Sequence, residues 1–180
     1  FLNVYIEIFR GTPMIVQSMV IFYGSAQAFN ISLDRTWAAI FIVSINTGAY
    51  MSEIVRGGIL AVDTGQFEAA TALGMTHGQT MRKVVLPQVV RNILPATGNE
   101  FVINIKDTSV LNVISVVELY FTGNTVATQN YQYFPTFTII AVIYFILTFT
   151  ITRILRYIER RLDSDTYTTG ANQMQVKEVK

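Results

Sequence analysis

Apolar positions along this chain fall into four long runs separated by polar breaks, instead of the short alternations of a water-soluble domain. A hydrocarbon core about 30 Å thick takes about 20 mainly apolar helical residues. On that measure the runs at 13–29, 37–59, 89–117 and 133–155 each predict a membrane span. The first two are separated by a short break holding Asp34 and Arg35, and both contain the Gly, Ser and Thr that closely packed membrane helices tolerate. The third carries Pro95, Glu100, Lys106 and Asp107, which a helix facing lipid would not hold. The fourth is apolar almost throughout. Tyr120, Phe121, Tyr131, Tyr133 and Phe134 gather before it, so that stretch reads as a loop at the membrane surface.

A polar stretch, "GQFEAATALGMTHGQTMRKVVLPQ" (65–88), interrupts this pattern. Asp63 stands three residues before Gln66 and Thr76 three before Gln79, the spacing of side-chain caps at helix starts. Two short helices are predicted. One covers 66–73 and stops at Gly74, where a positive φ suits glycine; the other runs over 77–86 and is interrupted at Pro87. Phe67, Ala70 and Leu73 recur at helical spacing beside Ala69 and give a small apolar face. Such a face fits a groove on another protein or lies on lipid headgroups.

Composition agrees with a membrane protein: 51% hydrophobic residues, 14% charged, and a mean hydropathy of +0.41 over 180 residues. The net charge of +1 offers no basic face for nucleic acid. With no cysteine and a single histidine, His77, the chain has neither a disulfide framework nor a cluster for a metal. His77 reads as a surface residue of the second short helix. The opening "FLNVYIEIFRGTP" reads as a chain already under way, and further N-terminal sequence is expected. Arg10, Arg56, Arg82, Lys83, Arg91, Arg153, Arg156, Arg160 and Arg161 all fall on one side of the spans, with Arg35 alone opposite. This bias places the 65–88 loop and the C-terminus in the cytoplasm. The tail at 162–180 is polar and without apolar periodicity, and is expected to be mobile.

Candidate chemistry lies inside the spans. At about 100° per residue, Glu100 and Asp107 stand about 20° apart and Asn104 about 40° from Glu100, so the three share a face of a continuous helix. Such groups mark a pathway for a cationic ligand group, or a structural network neutralised by Lys106. A helix broken at Pro95 or at "KDTS" would undo that face and offer backbone groups to a ligand instead. In the second span Asn46 and Glu53 share a face near Thr47 and Tyr50. There the structural alternative is stronger, with Glu53 paired to Arg56 and Asn46 bonded to another helix. No phosphate-binding loop is present, since "RGGILAVDTG" lacks the required lysine. Ser109 and Lys106, three residues apart, are a weak suggestion of a nucleophile and its base.

The order Glu68-Ala69-Ala70, then Gly74, Val84 and Leu86-Pro87, resembles the E-A-A loop of bacterial ABC importer permeases. "EIFRGTPMIVQ", "NTGAYMSEIVRGGI", "LPQVVRNILPATGNEF" and "KDTSVLNVISVVEL" are similar to the polar amino acid uptake subfamily (His/Glu/Gln/Arg/opine type), and the resemblance covers most of 1–161. It implies an all-α polytopic membrane helical bundle, the transmembrane domain of a type I ABC importer, over 1–161 with a cytoplasmic coupling-helix hairpin. It implies a permease, not an enzyme, in the bacterial cell membrane, for glutamine, glutamate or a basic amino acid. The implied partners are an ATP-binding cassette ATPase dimer that holds ATP and Mg, an extracytoplasmic amino-acid-binding protein or fused binding domain, and a second permease copy or homologue. Phe67, Glu68, Ala69, Ala70 and Gly74 would dock on the ATPase, and Glu100, Asp107, Asn104, Asn46 and Thr47 would line the pathway. The competing expectation is an ion-driven secondary transporter or a channel subunit, which needs no ATPase.

Overall fold

In the computed structural model the backbone is described for residues 1–178 and side chains for 1–161, so the expected mobile tail at 162–180 lies outside the fully described residues. The described chain is helical: α1 (Leu2–Gly11), α2 (Met14–Phe29), α3 (Arg35–Leu60), α4 (Thr64–Ala72), α5 (His77–Thr80), a π-helical turn (Met81–Val85), α6 (Leu86–Asp107), a 3₁₀ segment (Thr108–Ile114), α7 (Leu119–Asn130) and α8 (Tyr133–Glu178). It divides into two compact units. One is Phe1–Glu53 with Glu100–Thr150; the other is Ile54–Asn99 with the described chain from Ile151.

By length and composition α3 and α8 are long and apolar enough to cross a membrane, and the helical stretch 77–114 bends by 55° into α7, a pair that counts as a third crossing if it forms one span. The four expected spans therefore need three corrections. The run at 13–29 is the 16-residue α2, about 24 Å long and short of the core thickness. Thr12 in an extended conformation and Pro13 separate it from α1, a helix that the apolar pattern did not mark. The run at 89–117 leaves α-helical geometry at Thr108, where Thr108 Oγ1 donates to Ile105 O and Asn112 Nδ2 to Ser109 O. Side chains that bond their own backbone compete with the helical ladder, and the segment closes on Ser115 at φ 61°. The stretch read as a surface loop holds α7 instead, whose N-terminus is capped by Glu118 accepting from Tyr120 N–H (2.7 Å) and Phe121 N–H (2.5 Å).

In the first unit the core is Ala38, Ala39 and Ile42 of α3 against Leu111 and Ile114 of the 3₁₀ segment, flanked by Ile21 and Phe22 of α2. Small alanines let these backbones approach. In the second unit Val62, Val85 and Val89 are buried, with Ile59, Phe67, Met81 and Ile93 packed against them.

Candidate functional site

Asp63 caps α4 by accepting from Gly65 N–H at 2.6 Å, and Gly74 holds φ +73° two residues past the helix. Thr76 and Gln79 form a reciprocal capping box at α5. Four orphan donors at each helix start are thereby partly satisfied, and the knuckle is held by its own side chains. Pro87 does not interrupt the second helix. The Leu86 N–H reaches back five residues to Met81 O, and this wider π-turn carries the chain into α6 with Pro87 in its first turn, where a missing N–H costs little.

The knuckle turns part of its apolar face inward. Ala70 is buried and Phe67 packs on the valine core of its own unit, so neither presents its whole side chain outward. Glu68, Ala69 and Gly74 are exposed, as are Thr71, Ala72 and Leu73, the last at 81%. A side chain at Gly74 would meet nothing within 4 Å of its Cβ. Its demand is conformational within this chain. His77 is exposed at the start of α5.

The polar set within the first unit is built across α1, α2, α3 and α6. Because the chain breaks at 12–13, carbonyls at the end of α1 lose their helical donors. Gln17 supplies them: its Nε2 donates to Phe9 O (3.0 Å), Thr12 O (2.9 Å) and Thr12 Oγ1 (2.9 Å). Asn46 Nδ2 in turn donates to Gln17 Oε1 at 2.9 Å and to Phe9 O at 3.4 Å. Both side chains are buried. Asn46 thus bonds another helix, and its amide nitrogen is committed there.

One residue on, Thr47 Oγ1 donates to Asn104 Oδ1 of α6 at 3.1 Å. Glu100, one turn before Asn104, is buried with 9% of its surface exposed. Proline at 95 leaves α6 continuous through Asp107, so the shared face of Glu100, Asn104 and Asp107 survives. Asp107 and Lys106 are exposed at the end of that helix. Among the described residues Lys106 makes no ion pair with either acid, and Glu100 has no hydrogen-bond donor. Glu53 meets Arg10 at 3.5 Å, and Arg10 also lies 5.6 Å over the Tyr50 ring.

Gln17 and Glu118 escaped the sequence reading. The signal for Gln17 was its place four residues after Pro13, where an amide can reach the broken turn. For Glu118 it was an acid directly before a helical stretch too polar to look like a span. Besides capping α7, Glu118 Oε2 accepts from Tyr144 OH of α8 at 3.1 Å.

Helices long and apolar enough to cross a membrane, a helix break whose freed carbonyls are met by buried amides, and an acid held inside the helices together suit a membrane transport protein. Residues 1–164 match the family described as binding-protein-dependent transport system inner membrane component, and the chain belongs to that family. It is therefore the membrane permease component of an ABC importer, not a secondary transporter or a membrane enzyme. It is 42% identical over 160 residues to the glutamine transport system permease protein GlnP of Escherichia coli K12, covering 88% of this chain and 73% of that protein. The arginine transport system permease protein ArtQ of Bacillus subtilis is 37% identical over 161 residues (89% and 74% covered). The L-cystine transport system permease protein TcyB of the same organism is 42% identical over 162 (89% and 69%). Among solved structures, an amino acid ABC transporter crystallised with histidines superposes with a TM-score of 0.83 at 43% identity, covering 88% of this chain and 74% of that one. The MetNI methionine ABC transporter in an inward-facing conformation shares the fold, with a TM-score of 0.76 at 21% identity (89% and 73% covered).

Proposed function

We propose that this chain forms part of the translocation pathway of an importer for a polar amino acid, glutamine, glutamate or a basic one. The observation that carries this reading is Glu100, a carboxylate buried on the α6 face that also holds Asn104 and its Thr47 partner. A carboxylate largely sheltered from water with no protein donor on it attracts a cationic group, and every amino acid brings an α-ammonium. Permease relatives of glutamine, arginine and cystine systems support the cargo class. Glu100, Asn104, Asp107 and Thr47 line the path, and Asn46 with Gln17 holds the broken helix beside it.

Energy comes from a separate ATP-binding cassette ATPase dimer that binds ATP and Mg, and cargo arrives on an extracytoplasmic binding protein or fused binding domain. A second permease copy or homologue completes the pathway. α4 seats on the ATPase through Glu68, Ala69 and Gly74, with Phe67 and Ala70 bracing the knuckle from behind. The knuckle and C-terminus lie in the cytoplasm of a bacterial cell.

Proteoliposomes holding the whole assembly, screened with labelled amino acids, test the reading. Uptake of a polar amino acid that requires internal ATP, with its half-saturation raised in Glu100→Gln, is expected. ATP-driven uptake of a sugar or an inorganic anion, with no amino acid carried, would overturn it.

A further inference from the structure

The last helix changes character along one outward line. At about 100° per residue, Val142, Ile146, Phe149, Arg153, Arg156 and Arg160 fall within about 60° of a common line on α8, and all six are exposed. The line is apolar up to Phe149 and basic from Arg153. On the opposite side Leu155 and Glu159 turn toward Gly98, whose Cβ would stand 3.3 Å from Leu155 Cδ1 and 3.7 Å from Glu159 Oε1. The acid of this segment thus faces inward while the arginines face out.

Length fixes the depth at which this change happens. The span Tyr133–Arg161 has 29 residues and rises about 43 Å, against about 30 Å of hydrocarbon and about 40–45 Å with headgroups. Its last turns therefore stand in a headgroup layer. Tyr157, the ring that interfaces favour, is exposed among the arginines. Arg161 binds its hydroxyl through Nε (3.0 Å) and Nη2 (2.7 Å) and lies 5.2 Å over the ring.

Hardly any of the span is covered by the chain itself, since 6% of its most apolar window is buried. An acidic protein surface would answer the arginines alone. A phospholipid answers both parts of the line at once, acyl chains beside 142–149 and a phosphate beside the guanidinium groups.

We propose that Arg156 and Arg160, continued by Arg153, form a binding stripe for anionic phospholipid headgroups at this end of α8. Guanidinium groups grip phosphate oxygens in pairs, and a line of them along a helix that already touches the acyl chains selects phosphatidylglycerol over zwitterionic lipid. Nothing in the stripe depends on the cargo, so failure of this proposal leaves the amino acid assignment standing, and the reverse.

The test reconstitutes the purified assembly into phosphatidylcholine vesicles and compares how much spin-labelled phosphatidylglycerol and spin-labelled phosphatidylcholine it immobilises. The native chain is expected to prefer phosphatidylglycerol, and Arg156→Gln with Arg160→Gln to lower that preference by up to roughly thirtyfold, about fivefold per arginine. Arg156→Lys with Arg160→Lys, which keeps the charges and loses the paired grip, is expected to fall between the native and glutamine chains. Salt provides a second reading on the native chain alone: at roughly 1 M, where the screening length is about 3 Å, the preference should shrink. Equal preference in the native and glutamine chains overturns the proposal. So does a preference that salt leaves untouched, or a glutamine variant that keeps the preference and loses its co-purifying partner.

Discussion

At the scale of single residues, three side chains have separable duties. Glu100 is buried without a donor among the described residues, so its charge is available to a ligand. Removing it in Glu100→Gln keeps the shape and deletes a charge-assisted contact worth about 1.5–3 kcal/mol, or roughly 10- to 150-fold in apparent affinity. A raised half-saturation in proteoliposome uptake, with unchanged protein in the membrane, is the expected result. Gln17 is different: its amide satisfies the carbonyls of a broken helix, and Gln17→Leu removes the donor to Thr12 O and leaves Asn46 with Phe9 O alone, at about 1–3 kcal/mol. That variant should melt at lower temperature in detergent, and a thermal scan equal to the native one would remove the latch. Gly74 sits at φ +73° with open space about its Cβ. Gly74→Asp costs about 1 kcal/mol or more in backbone conformation and places a charge on the exposed end of α4. The variant is expected to reach the membrane, yet its ATPase activity should no longer drive uptake. Normal uptake at matched expression would refute coupling through α4.

At the scale of elements, what the sequence revealed depended on whether local chemistry or distant partners decide the structure. The caps of α4 and α5 were legible because Asp63, Thr76 and Gln79 act within three residues of themselves. The positive φ at Gly74 was legible for the same reason. α7 was not, since its stability comes from Glu118 at one end and from α8 along its side, and Tyr144 and Ile140 are far away in sequence. The 3₁₀ segment was half visible in "KDTS". Its geometry depends on Leu111 and Ile114 fitting against α3, which periodicity does not encode. The polar face of α6 was readable because helix geometry alone sets it, whereas the commitment of Asn46 to Gln17 needed the fold. The α7–α8 hairpin makes its own prediction. A Cβ on Gly123 would lie 2.0 Å from Ile140 Cδ1 and 2.8 Å from its Cγ1, so Gly123→Val must push the two helices apart. Overpacking of this kind costs about 1–3 kcal/mol. A fall in melting temperature is expected, with partial recovery in Gly123→Val combined with Ile140→Ala.

At the scale of the whole molecule, the arginine and lysine bias predicts which end of each span faces the cytoplasm, and the chain's composition suits a direct test. There is no cysteine in residues 1–180, so an introduced thiol is the only one within that stretch. Leu73 at the end of α4 is 81% exposed and Phe134 in the first turn of α8 is 85% exposed, so each accepts a cysteine without touching a core. Basic residues crowd the knuckle and the far end of α8, so the charge bias predicts Leu73 inside and Phe134 outside. Leu73→Cys should then react with a membrane-impermeant maleimide in inside-out vesicles alone, and Phe134→Cys in right-side-out vesicles alone. The reverse pattern would invert the chain and move α4 away from any cytoplasmic ATPase. Labelling of both from one side would mean that the helix between Phe134 and the arginines does not cross the bilayer. The reverse pattern, or labelling of both from the outer side alone, would defeat the coupling role of α4, because ATP is supplied on one side only and the knuckle must stand there to use it.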